Sequence, residues 1–118
     1  MAISWLLAIE ADALERGHKL TELQIKDAQE VGVVSPEKIR ILYVDKITEP
    51  DHPDLHAAAN EIGLLSDRTI GRTVRYGIQI VQGQESRRLL RHEFRHVQQF
   101  EVADSFESFV YNLSLIHI

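Results

Sequence analysis

The segment Lys38-Ile39-Arg40-Ile41-Leu42-Tyr43-Val44-Asp45 constrains this chain more than any other, because its branched and aromatic residues leave almost no polar face. A strand apolar on both faces belongs in the interior of a sheet, so this run is predicted to be the central strand. Two helices are expected before it. In the first, Ile3, Leu6, Leu7, Ala11 and Leu14 recur at helical spacing and Gly17 follows as a terminator. The second starts at Thr21, whose hydroxyl caps it while Gln24 reaches back; it is expected to bury Leu23, Ala28 and Val31 before Gly32. Ser35 and Pro36 mark a turn.

After the central strand, Pro50 and Pro53 introduce a short helix that closes at Gly63. From Arg72 to Val81 the pattern alternates, with Val74, Tyr76, Ile78 and Ile80 on one side and Thr73, Arg75, Gly77 and Gln79 on the other. It predicts one strand with a wetter face, and Gly77 within it predicts a bulge or a close backbone approach. Gly83 and Gln84 then turn the chain into a long helix. The class is α+β, in one domain over residues 1–118, with neither a repeat nor a low-complexity segment.

Composition narrows the chemistry. Eighteen acidic against 13 basic residues give a net charge of -5, which opposes a phosphate backbone, so nucleic acid is not an expected partner. Cysteine is absent, which leaves His, Asp and Glu as the available metal ligands. No apolar run approaches the roughly 20 residues that span a bilayer, and the apolar opening lacks a basic leader, so a soluble cytoplasmic protein is expected.

Residues 92 to 96 read His-Glu-Phe-Arg-His. On a helix the two imidazoles stand one turn apart, roughly 6 Å between their attachment points, so both can reach one ion. Tetrahedral zinc suits that spacing, and Glu93 lies about a quarter turn away, placed to act on water as a general base. On the helical projection Leu89, Leu90, Phe94, Val97 and Phe100 sweep one arc, while Arg87, Arg88, Arg91, Arg95, Gln98 and Gln99 sweep the opposite one. His92, Glu93 and His96 fall at the border, where a ligand is braced by the core and open to substrate. The competing reading is a pair of interfacial histidines satisfied by carbonyls or water, with a surface glutamate between them. The arginines read as the solvated back of the helix.

The stretch from Arg72 to Glu101 resembles the HExxH zinc metallopeptidases, the zincins. The helix from Leu89 to Glu101 is more narrowly similar to that of compact bacterial proteins related to the gluzincins. The resemblance implies a small zincin-like domain: a short mixed sheet whose edge strand packs on the active-site helix, with additional helices toward the N-terminus. It implies Zn2+ as cofactor, His92 and His96 as ligands, Glu93 as base and a peptide or protein substrate. That substrate would lie along the strand at Arg75, Tyr76, Gly77 and Ile78, with Tyr76 and Arg75 as candidate oxyanion donors.

The chain departs from that pattern in carrying Arg91 and Arg95 beside the histidines, and in its third ligand. Gluzincins take a glutamate from a later helix, and a catalytic zinc has three protein ligands plus water. Here Glu101 projects into the apolar arc, Asp104 and Glu107 match a capping box opening at Ser105, and His117 lies near the chain end. The apolar ending Leu113 to Ile118 is expected to be an incomplete C-terminus, which puts the third ligand beyond residue 118 and predicts weak zinc binding. His52 and His56 read as helix-surface residues and His18 as an exposed turn residue. Three functional classes follow: a zinc-dependent hydrolase, a non-catalytic zinc-binding or interaction module, and a structural domain with incidental histidines.

Overall fold

A computed structural model describes residues 2–47 and 70–103 of the chain. Helix α1, Ala2–Arg16, buries Leu6, Ile9 and Ala13, with Glu10 in the same stripe. Its end is set by contact. The Gly17 N–H donates to Ala13 O at 2.8 Å, and a Cβ at Gly17 would stand 2.4 Å from that same oxygen, so no other residue fits unchanged. Of the residues at helical spacing, Leu6 is buried, but Leu7 and Leu14 are exposed, as is Ala11. Helix α1 is apolar around much of its girth, so spacing alone does not select the inward side.

Strand β1, His18–Lys19, leads to helix α2, Glu22–Val31. His18 is exposed, as expected, but belongs to this short strand rather than to a turn. Thr21 and Gln24 form the anticipated reciprocal cap at 3.2 and 2.9 Å, and Gly32, at φ 111°, ends the helix. Ala28 is buried as expected and Val31 half-buried, but Leu23 points to solvent, and Asp27 is buried instead. A single 3-10 turn, Pro36–Lys38, enters strand β2, Arg40–Val44. The expected helix of residues 48–63, with His52 and His56, lies outside the described residues.

The alternation from Arg72 to Val81 is two strands, not one. Strand β3, Gly71–Val74, and strand β4, Gly77–Val81, form an antiparallel hairpin whose two-residue loop is Arg75-Tyr76. Arg75 adopts φ 55°, in the left-handed region that non-glycine residues rarely enter. Pairing Val74 with Gly77 reverses the face assignment across the loop, so Val74 shares a face with Gly77 and Gln79, while Thr73 shares one with Ile78 and Ile80. A period-2 pattern continues through such a loop without a visible break.

The sheet order is β1-β2-β4-β3, with β2 and β4 parallel and the outer pairs antiparallel. Strand β2 is therefore interior, as its apolar run requires, and β4 is interior too. Helix α1 covers one face of the sheet. On the other, α2 and helix α3, Arg87–Val102, close a core of Ala28, Val33, Ile39, Ile41, Ile78, Ile80, Leu90, Phe94 and Val97. Double cover explains why Thr73 and Gln79, expected on a wetter face, are both buried. Gly77 marks the close approach its sequence position predicted: a Cβ there would lie 3.0 Å from Ala13 Cβ and 3.1 Å from Glu10 Cα. Among the described residues, no helix is long and apolar enough to cross a membrane.

Candidate metal centre

Helix α3 carries the site, and its amphipathic pattern positions it. Leu90, Phe94 and Val97 are buried and fix the rotation of the helix on the sheet; Ser86 Oγ caps its start by accepting from the Leu89 N–H at 3.0 Å. That rotation leaves His92 exposed, His96 half-buried and Glu93 buried, one step at a time around the cylinder.

The two imidazoles converge. His92 Nε2 and His96 Nε2 are 3.2 Å apart, with the rings edge to face at a centroid distance of 4.7 Å. Two zinc–nitrogen bonds of about 2.05 Å at the tetrahedral angle place their nitrogens about 3.3 Å apart. The observed spacing fits a shared ion and is also that of a hydrogen bond between the two rings. On its other side, His96 Nδ1 lies 2.9 Å from Gln99 Oε1. A carbonyl oxygen only accepts, so the tautomer that makes this bond carries its proton on Nδ1 and turns the Nε2 lone pair toward His92. Bracing of this kind is what orients metal-ligating histidines.

Glu93 faces the sheet. Thr73 donates its hydroxyl to Glu93 Oε1 at 2.9 Å, and Oε2 makes no hydrogen bond among the described residues. The glycine at 71 allows this approach, because a Cβ there would sit 3.2 Å from Oε2. Burial pushes the Glu93 carboxyl above its ordinary range, opposed by the Thr73 hydrogen bond and by the positive forms of His96 and His92. A carboxyl shifted that way suits a general base working near neutrality.

The strand residues expected to bind substrate do other things. Gly77 and Ile78 are buried in an interior strand with neighbours on both sides. Arg75 pairs with Glu10 at 3.2 Å, and Tyr76 donates its hydroxyl to Glu101 Oε2 at 2.9 Å. The strand next to α3 is β3, and it is packed rather than open: Arg72, Thr73 and Val74 are each 3% exposed or less. The sequence showed none of this because it hid the hairpin.

Glu101 also accepts from the Val34 and Ser35 N–H groups, at 2.8 and 3.0 Å, so three donors from the loop after α2 and the hairpin turn hold its carboxylate away from the histidines' ion. It is not a third ligand. Asp104, Glu107 and His117 lie outside the described residues, among which no group of three or more His, Cys, Asp or Glu could hold a metal. The structure also reveals a cluster the sequence reading missed. Asp27 receives Arg87 at 2.8 and 2.9 Å and Arg91 at 3.1 Å, and these bonds hold the Asp27 carboxyl below its ordinary range. Two arginines expected in solvent thus tie α2 to α3. Comparison with protein-family models, with curated proteins and with solved structures finds no match for this chain.

Proposed function

We propose that this chain is a zinc-dependent peptide hydrolase of zincin-like type, with His92 and His96 as two zinc ligands and Glu93 as general base. The 3.2 Å convergence of the two Nε2 atoms, with the His96 tautomer set by Gln99, carries the reading. Zinc, when bound, supplies Lewis acidity and brings the pKa of water toward neutrality. Glu93 removes a proton from the attacking water, the water oxygen adds to the peptide carbonyl, and the proton passes to the departing amine as the C–N bond breaks. Thr73 fixes the Glu93 carboxyl through Oε1. With β3 packed, a peptide reaches the histidines from the solvent side of α3.

One observation favours a second reading. The described residues supply only two imidazoles to an ion, which suits a non-catalytic zinc-binding or protein-interaction module. Metal content of the purified protein and cleavage of a peptide library separate the two. The hydrolase reading predicts bound zinc and cleavage that Glu93→Gln abolishes without loss of metal. Zinc without cleavage leaves the module, and failure to take up added zinc removes both.

A further inference from the structure

We propose that the groove between α2 and α3, beside His92, binds the acidic side chains of a peptide. The groove is open, about 830 Å³, and Arg87, Arg88, Arg91, Arg95, His92 and Glu30 contribute to its lining. Its charges do not balance. Arg87 is held by Asp27, and Arg91 bridges Asp27 and Glu30 at 3.1 Å each. Arg88 and Arg95 are exposed and make no hydrogen bond or ion pair among the described residues. Seven positions apart, they project within about 20° of one another and stand roughly 10 Å apart along the helix. His92 lies between them.

This arrangement is unfavourable for the helix on its own. Arg88, Arg91 and Arg95 are neighbours at three and four positions, where like charges repel. Arg88 also sits in the first turn, which favours acidic residues and here contains none. The carboxylates of the described residues leave these two guanidiniums without one. An anion bound there relieves both penalties, and a carboxylate does so with two parallel hydrogen bonds to each planar guanidinium. Carboxylates on alternate residues of an extended peptide share one face roughly 7 Å apart, within reach of two long arginine side chains rooted about 10 Å apart. The acidic balance of the whole chain disfavours a long polyanion such as nucleic acid but not a short peptide. Naming this peptide as the substrate rests on the hydrolase reading; its binding does not.

The test uses the full chain without metal and a fluorescein-labelled Gly/Ser peptide bearing two glutamates at alternate positions, followed by anisotropy. The glutamate peptide binds, weakens with salt, and outcompetes the lysine and serine versions. Arg88→Glu with Arg95→Glu lowers its affinity on the order of tenfold or more, and the milder Gln pair lowers it in the same direction. Lys19→Glu with Lys46→Glu, the same charge change elsewhere, alters it by no more than about twofold. Equal binding of the three peptides, equal loss in the two charge-reversed proteins, or tighter binding of a single-stranded oligonucleotide overturns the proposal. Repeating the assay with zinc separates the two readings. Binding without cleavage removes the hydrolase and leaves the site, whereas cleavage of neutral peptides as fast as acidic ones leaves the hydrolase and removes the acidic peptide as its substrate.

Discussion

Glu93 and Glu101 are the same residue type, eight positions apart on one helix, and the fold treats them in opposite ways. Glu101 receives three donors, the N–H groups of Val34 and Ser35 and the hydroxyl of Tyr76, and so staples the end of α3 to two loops. Glu93 is more deeply buried, yet among the described residues only the Thr73 hydroxyl serves its carboxyl, which is raised by burial. A structural carboxylate is recognised by saturation. One left short of donors, beside two converging imidazoles, carries a desolvation cost that folding alone does not repay, and such sites are where chemistry concentrates.

The sharpest way to break this contrast is to neutralise each glutamate in turn. Glu93→Gln is expected to reduce peptide cleavage by about 10²- to 10⁴-fold while the thermal midpoint stays level or rises, since a buried carboxylate becomes a neutral amide. Glu101→Gln is expected to do the reverse: cleavage persists, and urea titration shows a loss of about 1–3 kcal/mol as an amide N–H₂ is turned toward donors. If both variants lose stability equally, the distinction is wrong. Thr73→Val refines it by removing the one donor that the described residues give to the Glu93 carboxyl; cleavage should fall by about tenfold and return with Thr73→Ser, because the hydroxyl acts by positioning.

A smaller effect extends the comparison to Asp27, a saturated carboxylate like Glu101. Its folded-state pKa is lowered, chiefly by the Arg87 hydrogen bonds, so the folded state holds that proton less tightly than the unfolded chain does. The stability it contributes is present above the ordinary aspartate range and is lost as pH falls through the lowered value. Asp27→Asn should lower the melting temperature at neutral pH and flatten its acid limb, and parallel profiles for the two proteins would contradict that sign.

Local signals were legible in the sequence. The reciprocal cap of Thr21 and Gln24, the helix stops at Gly17 and Gly32, the interior run of β2 and the buried arc of α3 all depend on residues within a few positions of one another. The contrast between the glutamates was not legible beyond their facing, because Val34 lies 67 positions from Glu101 and Thr73 lies 20 from Glu93. The hairpin stayed hidden for a different reason. Arg75-Tyr76 is not one of the glycine-bearing pairs that signal a tight turn, and the left-handed position falls on an arginine. Reading through it made one strand of two and placed a substrate edge where the chain is buried.

The central claim is that His92 and His96 share one cation, and imidazole nitrogen resonances followed during a zinc titration test it directly. Both Nε2 signals should move together, saturate at one equivalent of zinc, and lose their response when either histidine is changed to alanine. A titration in which the two nitrogens respond independently, or not at all, contradicts the account.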